Sequence, residues 1–211
     1  MAKPRRLTLS TNPKKEELTE LRLGDVVYLD GTIYTAREGV YKRALEEKAN
    51  LPVDLPHRSA ANFHCSPAAS MNSDGSFNLG SVTATASFRF SKWIGQWLSQ
   101  SGAKLIIGKG GMSAEDYKKH FVPNGAIYLT TVGYGTGALL GRGVEKVSGV
   151  YWHSELGFDI VISAQIVEFR VPSRDPESAN LTAPPERWFS SACFVLRSES
   201  MFLCDCISRC A

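Results

Sequence analysis

The sequence predicts an α/β domain built on a substantially parallel sheet. Three observations lead there: short runs rich in β-branched and apolar residues recur along the chain, stretches with helical periodicity separate them, and glycine loops follow two of the strands. With 211 residues, 43% of them hydrophobic and 21% charged, the chain can bury one sizeable core.

Residues 1–14 are basic and lack acids, which reads as a disordered N-terminal tail, with a transit peptide as the second reading. Asn12 and Pro13 then open a helical arm running to Leu21, since proline suits a first helical turn. Residues 26–29 and 32–36 read as two strands of a hairpin turned at Asp30-Gly31. Arg37 begins a helix that gathers Val40, Tyr41, Ala44 and Leu45 on one face. Residues 51–75 are rich in Pro, Asn, Ser and His, and read as irregular structure around a short strand at 61–64, a plausible wall for a site.

Residues 77–85 are β-like again, and Phe90, Trp93, Ile94, Trp97 and Leu98 follow at helical spacing, an aromatic stripe expected to pack in the core. A buried-type strand at 105–108 precedes a helix capped by Ser113 with Asp116 as its capping-box partner. Further strands are expected at 126–132, 144–150 and 160–169. Past Val171 the periodicity collapses, so one domain over 15–171 is expected, with an irregular extension over 172–211.

Several function classes drop out on composition. No apolar stretch approaches the roughly 20 residues that span a bilayer, and no apolar core follows Arg5 and Arg6 as in a cleaved signal. A cytoplasmic protein is expected, with a mitochondrial one left open. The net charge of +3 is spread out rather than gathered in a basic stripe, which argues against nucleic acid. Cys65 stands alone while Cys193, Cys204, Cys206 and Cys210 crowd the C-terminus; Cys204-Asp205-Cys206 is too tight for structural zinc, and no metal is expected on this chain.

Two stretches hold the chemistry. In Thr83-Ala84-Thr85-Ala86-Ser87-Phe88-Arg89 an arginine stands four residues after a threonine, so both share a face if helical geometry begins at Thr85. In Gly108-Lys109-Gly110-Gly111-Met112 a lysine rides on a glycine loop between strand and helix, where Gly110 lets a ligand approach free backbone N–H groups. Together they read as a pocket for a carboxylate or phosphate. The plainer readings are a tight turn with a solvated Lys109, and surface ion pairs for Arg89 and Arg37. The loop lacks the spacing of a nucleoside triphosphate site. Gly133-x-Gly135-x-x-Ala138, with Glu155 about 20 residues on, matches a dinucleotide fingerprint, but its helix would meet Gly141 and Gly143 too soon.

Five motifs in one order make a resemblance. Residues 23–29 (LGDVVYL), 31–37 (GTIYTAR), the segment ending at Arg89, 108–112 (GKGGM), and Val150-Tyr151-Trp152 with Glu155-Leu156-Gly157 resemble the β subunit of iron–sulfur hydro-lyases, the L(+)-tartrate dehydratases and two-subunit class I fumarases, across about residues 15–169. The resemblance implies a swivelling β/β/α domain with a mixed, largely parallel sheet. It implies removal of water from a small 2-hydroxy dicarboxylic acid, malate to fumarate or L-tartrate to oxaloacetate. It also implies a hetero-oligomer, in which an α subunit holds a 4Fe-4S cluster that acts as a Lewis acid. Arg37, Arg89, Lys109 and Gly110 would bind substrate, and Thr85 would handle the proton, activated by a carboxylate of the α subunit. The chain departs from the family's Gly-Pro-Thr-Thr at Thr83-Ala84-Thr85-Ala86 and from its His-Ala-Gly-Pro at His64-Cys65-Ser66-Pro67. Tyr41 stands where many members have a histidine and is a second candidate catalytic residue. The alternatives are a non-catalytic anion-binding or assembly module of the same fold and, third, a dinucleotide-binding oxidoreductase.

Overall fold

The computed structural model describes residues 5–22, 25–131, 137–156, 167–169 and 193–196. The chain begins with β1 (Arg6–Ser10), α1 (Lys15–Thr19) and β2 (Val26–Thr35). Next come α2 (Glu38–Tyr41), which runs on as a π turn over Lys42–Glu46, α3 (Leu55–Arg58), β3 (Ala61–Phe63) and an antiparallel hairpin of β4 (Cys65–Met71) and β5 (Phe77–Ala84). A 3₁₀ turn (Ser87–Phe90) leads into α4 (Ser91–Ser101) and β6 (Leu105–Gly108). After these, α5 (Ala114–Asp116) continues through a π turn (Tyr117–Phe121) into α6 (Val122–Asn124), followed by β7 (Ile127–Thr131), α7 (Gly137–Arg142) and β8 (Val144–Val147). The described chain closes with α8 (His153–Leu156), β9 (Val167–Phe169) and β10 (Cys193–Leu196).

Five strands form a curled parallel sheet: β2 pairs in parallel with β1 and β3, β3 with β6, and β6 with β7. Antiparallel strands extend it, β9 against β2, β8 against β9, and β10 against β7 and the start of β2. This is the α/β architecture that the alternation of strand and helix signals predicts.

Period-two alternation sorts the side chains of these strands into cores on opposite faces. Leu105 and Ile107 of β6, with Ala61 and Phe63 of β3, join Val27, Leu29, Val82, Ala84 and Leu140 in one core. Ile106 and Tyr128 turn the other way, to Ile94 and Leu98 of α4 and to Met112, Tyr117 and Phe121. Every residue of β6 is therefore buried, as expected of a parallel strand covered on both faces. Trp93 and Trp97 pack with Tyr34, Val40, Tyr41, Ala44, Leu45 and Phe90, so the aromatic stripe and the α2 face are core packing, as their spacing predicts.

Three expectations give way, the first being that residues 51–75 are irregular apart from one short strand, since α3 and β4 lie within them and β4 pairs with β5. Asp30-Gly31 does not turn the chain: β2 passes straight through it, because residues 26–30 find a parallel partner in β1 rather than in residues 32–35. That partner lies within the segment expected to be a tail. Arg5 holds its start through a two-pronged bond to the buried Asp25, at 2.9 Å from Nε and 2.5 Å from Nη2, and this guanidinium keeps the Asp25 carboxyl below its usual range. Gly31 instead serves a close approach. Its φ is +124°, and a Cβ there would stand 2.5 Å from Thr11 Oγ1.

Gly31→Ala combines that clash with an unfavourable backbone conformation and should lower unfolding free energy by about 1–3 kcal/mol. Urea unfolding measures it, and adding Thr11→Ala should recover only the steric part.

Candidate functional site

The carboxyl ends of β2, β3 and β6 meet the end of β5 at a cavity of about 390 Å³, lined by Arg37, Ser66, Thr83, Ala84, Thr85, Ala86, Arg89 and Lys109. Arg37 follows β2 in extended conformation, immediately before α2. Ser66 belongs to β4, Thr83 and Ala84 to β5, and Arg89 to the 3₁₀ turn. Thr85 and Arg89 do meet on one wall, although not through a shared helix face. Thr85 precedes the turn, Ala86 is extended, and helical geometry starts only at Ser87.

Backbone bonds lock these segments together. The N–H of Thr85 donates to the His64 carbonyl at 2.6 Å, that of Lys109 to Thr85 at 3.2 Å, that of Ser87 to Lys109 at 3.0 Å, and that of His64 to Ile107 at 2.8 Å. Ala86 and Lys109 thereby form a single parallel bridge. Gly108 makes the approach possible, because a Cβ there would overlap Ser87 Oγ and crowd the Tyr128 hydroxyl at 2.8 Å. Beyond Lys109 the chain turns through Gly110 and Gly111, at φ +77° and +71°, and is held by the expected capping box. Asp116 accepts from the Ser113 N–H at 3.2 Å and also from Ser91 of α4 at 2.6 Å.

The wall therefore brings three cations together with Thr83, Thr85 and Ser66. Arg89 is half exposed and lies 3.5 Å from Glu38, whose carboxyl is held low chiefly by its hydrogen bond to Lys42. Phe88 stands 60% exposed beside them. Gly110 is not part of the lining: its Cβ position points toward Phe88 at 3.8 Å, so its contribution is the left-handed turn that presents Lys109.

Tyr41 is also absent from the wall. Its side chain is fully buried behind the cavity, burial pushes its phenol up, and it cannot touch a ligand there. It belongs instead to a hydrogen-bonded chain that sequence reasoning missed. The Tyr128 hydroxyl donates to Ser87 Oγ at 2.7 Å, and Ser87 Oγ lies 2.8 Å from His64 Nδ1. His64 Nε2 lies 2.7 Å from the Tyr41 hydroxyl, which donates to Asn62 Oδ1 at 2.9 Å. Trp97 Nε1 donates to the same Asn62 oxygen at 2.7 Å. With Tyr128 already donating to Ser87, the Ser87 proton goes to Nδ1, and the imidazole proton belongs on Nε2. Desolvation pulls the His64 pKa down to about 3, so the ring stays neutral. No spacing rule links residues 41, 62, 64, 87 and 128; only His64 and Asn62, polar residues inside an apolar run, offered a hint.

The family model for the Fumarase C-terminus matches residues 1–172. The chain belongs to the Fumarase C-terminus family. Among its curated relatives is the L(+)-tartrate dehydratase subunit beta of Escherichia coli K12, 33% identical over 187 residues, 86% of this chain and 89% of that protein. A putative L(+)-tartrate dehydratase subunit beta of Methanocaldococcus jannaschii is 36% identical over 146 residues, 68% of this chain and 72% of that one. A putative class I fumarate hydratase of Geobacillus stearothermophilus is 31% identical over 147 residues, 68% of this chain but 27% of its own length.

For this member of the Fumarase C-terminus family, a dinucleotide site finds no support in the topology. The Gly133 and Gly135 loop lies outside the described residues. The helix after it is six residues long, and β8 pairs antiparallel with β9 instead of lying parallel beside β7. No described helix is long and apolar enough to cross a membrane. Among the described residues no group of three His, Cys, Asp or Glu side chains could hold a metal ion. Cys65 is buried, and desolvation pushes its thiol up, away from the thiolate a metal needs. Cys204, Cys206 and Cys210 lie outside the described residues.

Two outcomes follow from the packing. Gly108→Ala should displace Ser87 and lower unfolding free energy by about 3 kcal/mol or more, measured by urea unfolding. Because His64 is neutral when folded but titrates near 6.5 when unfolded, the unfolded state binds the extra proton as pH falls between those values. Stability should therefore drop below pH 6.5 by up to ~1.4 kcal/mol per pH unit. His64→Asn should flatten that slope above pH ~4.5, where carboxylates such as Asp25 remain ionised.

Proposed function

We propose that this chain is the β subunit of an iron–sulfur hydro-lyase that reversibly removes water from a small 2-hydroxy dicarboxylic acid, either malate or L-tartrate. The observation that supports it is the convergence of Arg37, Arg89, Lys109 and the Thr85 hydroxyl on one cavity, in a member of the Fumarase C-terminus family whose relatives bear tartrate dehydratase and fumarate hydratase names.

The charges suit that substrate. A dicarboxylate brings two negative charges, and removing a proton from the carbon beside one carboxylate spreads a further charge onto it. Three cations in a closing pocket match the third charge as it develops, which favours the transition state over the bound acid. Either guanidinium can grip a carboxylate with two parallel bonds, while the compact Lys109 ammonium, presented by its glycine turn, adds a point charge. Among the described residues neither Lys109 Nζ nor the Thr85 hydroxyl makes a side-chain hydrogen bond within the chain, so both are available to a ligand. Thr85 is the group on this wall suited to take the proton. A neutral hydroxyl is a weak base, so it requires a carboxylate from the partner subunit. Tyr41 has no part in proton transfer on this reading.

On this reading the 4Fe-4S cluster of this enzyme class is held by the α subunit, where it would act as a Lewis acid. The steps attributed to this chain are binding the two carboxylates, orienting the acid and moving the carbon-bound proton.

The test is anaerobic co-expression with the cognate α subunit, cluster reconstitution, and assays of malate and both tartrate enantiomers, with each subunit alone as control. Turnover only by the pair supports the proposal, and the preferred acid names the reaction. Dicarboxylate binding without turnover, beside an intact cluster, would favour a non-catalytic anion-binding module. Within an active pair, Lys109→Ala or Arg89→Ala should lower kcat/KM about 10²- to 10³-fold. Thr85→Ala should abolish turnover while leaving dicarboxylate affinity within a few-fold, by isothermal titration.

A further inference from the structure

The buried hydrogen-bonded chain behind the cavity has a second contact with it. His64 touches the wall twice. Its carbonyl accepts the Thr85 N–H at 2.6 Å, and its imidazole Nδ1 holds Ser87 Oγ at 2.8 Å. Ser87, in turn, donates its backbone N–H to the Lys109 carbonyl at 3.0 Å. One fully buried residue thus fastens both sides of Ala86, Thr85 through its backbone carbonyl and Ser87 through its imidazole, and through Ser87 it reaches Lys109. The direction of the chain is set by donor counting. Tyr128 donates to Ser87, Ser87 to Nδ1, Nε2–H to Tyr41, and Tyr41 to Asn62, so each of these four bonds uses one proton and the imidazole matches both neighbours. An imidazolium would give Ser87 two donors and leave its own proton without an acceptor.

We propose that His64 is a positioning residue for Thr85 and Lys109, acting through Ser87; this rests on the reading of the cavity as a dicarboxylate site. His64 touches no substrate. It holds the threonine hydroxyl and the lysine in register across a bridge of a single residue pair, where displacement by about 1 Å can cost on the order of 100-fold in rate.

The two ring nitrogens can be tested separately. An asparagine places its amide oxygen where Nδ1 stands and can still accept from Ser87, whereas a glutamine reaches the Nε2 position and keeps only the Tyr41 link. In the reconstituted pair, His64→Gln and Ser87→Ala should each lower kcat about 10- to 100-fold with KM within about threefold, and His64→Asn should recover most of that loss. Thermal unfolding of each variant is measured alongside. The inference is overturned if Ser87→Ala keeps full kcat, or if the Asn and Gln variants lose activity equally and in proportion to stability. A second readout needs no turnover: hydrogen exchange at the Thr85 and Lys109 amides should quicken about tenfold in His64→Gln and Ser87→Ala, and not in His64→Asn, with α4 amides as control. If the wild-type pair is silent on every acid, the hydro-lyase reading fails, and the exchange pattern still decides the role of His64. Unchanged exchange in all three variants would sink it.

Discussion

The close approach of residues 85–87 to the end of β6 is the constraint on which the site depends. It exists because Gly108 carries no side chain, so Ser87 and the Tyr128 hydroxyl can occupy the space where a Cβ would be. Four backbone bonds among Ile107, His64, Thr85, Lys109 and Ser87 then knit three segments distant in sequence. With that contact the threonine hydroxyl and the lysine share a wall. Without it they would sit on separate loops.

The sheet explains why the site lies where it does. Parallel strands bring their carboxyl ends to one edge, and ligands commonly bind in the crevice beyond that edge. Arg37 follows β2, His64 follows β3 and Lys109 follows β6, so three successive strand ends deliver a cation, an anchor and a second cation. The β4–β5 hairpin interrupts the β3-to-β6 crossover and returns the chain to the same edge at Ala84, with Cys65 opposite it in register. The hairpin adds the fourth side of the cavity, and α4 completes the crossover behind it.

Polar residues on the helix-facing side of the sheet have a different task. Asn62 lies on β3 between Ala61 and Phe63, which both enter the opposite core, so alternation turns its amide toward Tyr41 and Trp97. A buried amide costs stability unless its partners are present. The aromatic hydroxyl and indole N–H supply them for the amide oxygen, while Asn62 Nδ2 is buried without a hydrogen-bond partner; the same ring system packs around His64, with Tyr41 and Phe90 meeting it edge-on at 5.8 and 4.8 Å. Tyr41 is thus a member of the supporting core and not of the site surface. Its place four residues after Arg37 suggested a role beside the ligand, but one helical turn carried it inward.

Short-range physics made much of the molecule legible from its sequence. The apolar run at 105–108, the helical spacing of Trp93, Ile94, Trp97 and Leu98, and the Ser113–Asp116 capping box depend on neighbours within a few residues, and each stands as read. Arg37, Arg89, Lys109 and Thr85 were recognisable one by one as residues suited to bind an anion or move a proton. That the two stretches form one pocket was read from their chemistry and the resemblance, but how the wall is built was not, because it rests on backbone pairings between residues far apart in the chain, such as Thr85 with His64 and Lys109 with Thr85. The turn signal at Asp30-Gly31 failed for the same reason: β1, not the following residues, offered the backbone partners. So too with the His64–Ser87 link, where the choice among many possible hydrogen-bond partners is made by which groups the folded sheet buries together. Local pattern determined the elements and the chemistry at hand. Tertiary contact alone decided which groups line the cavity and which lie behind it, since that depends on approach distances no spacing along the chain encodes.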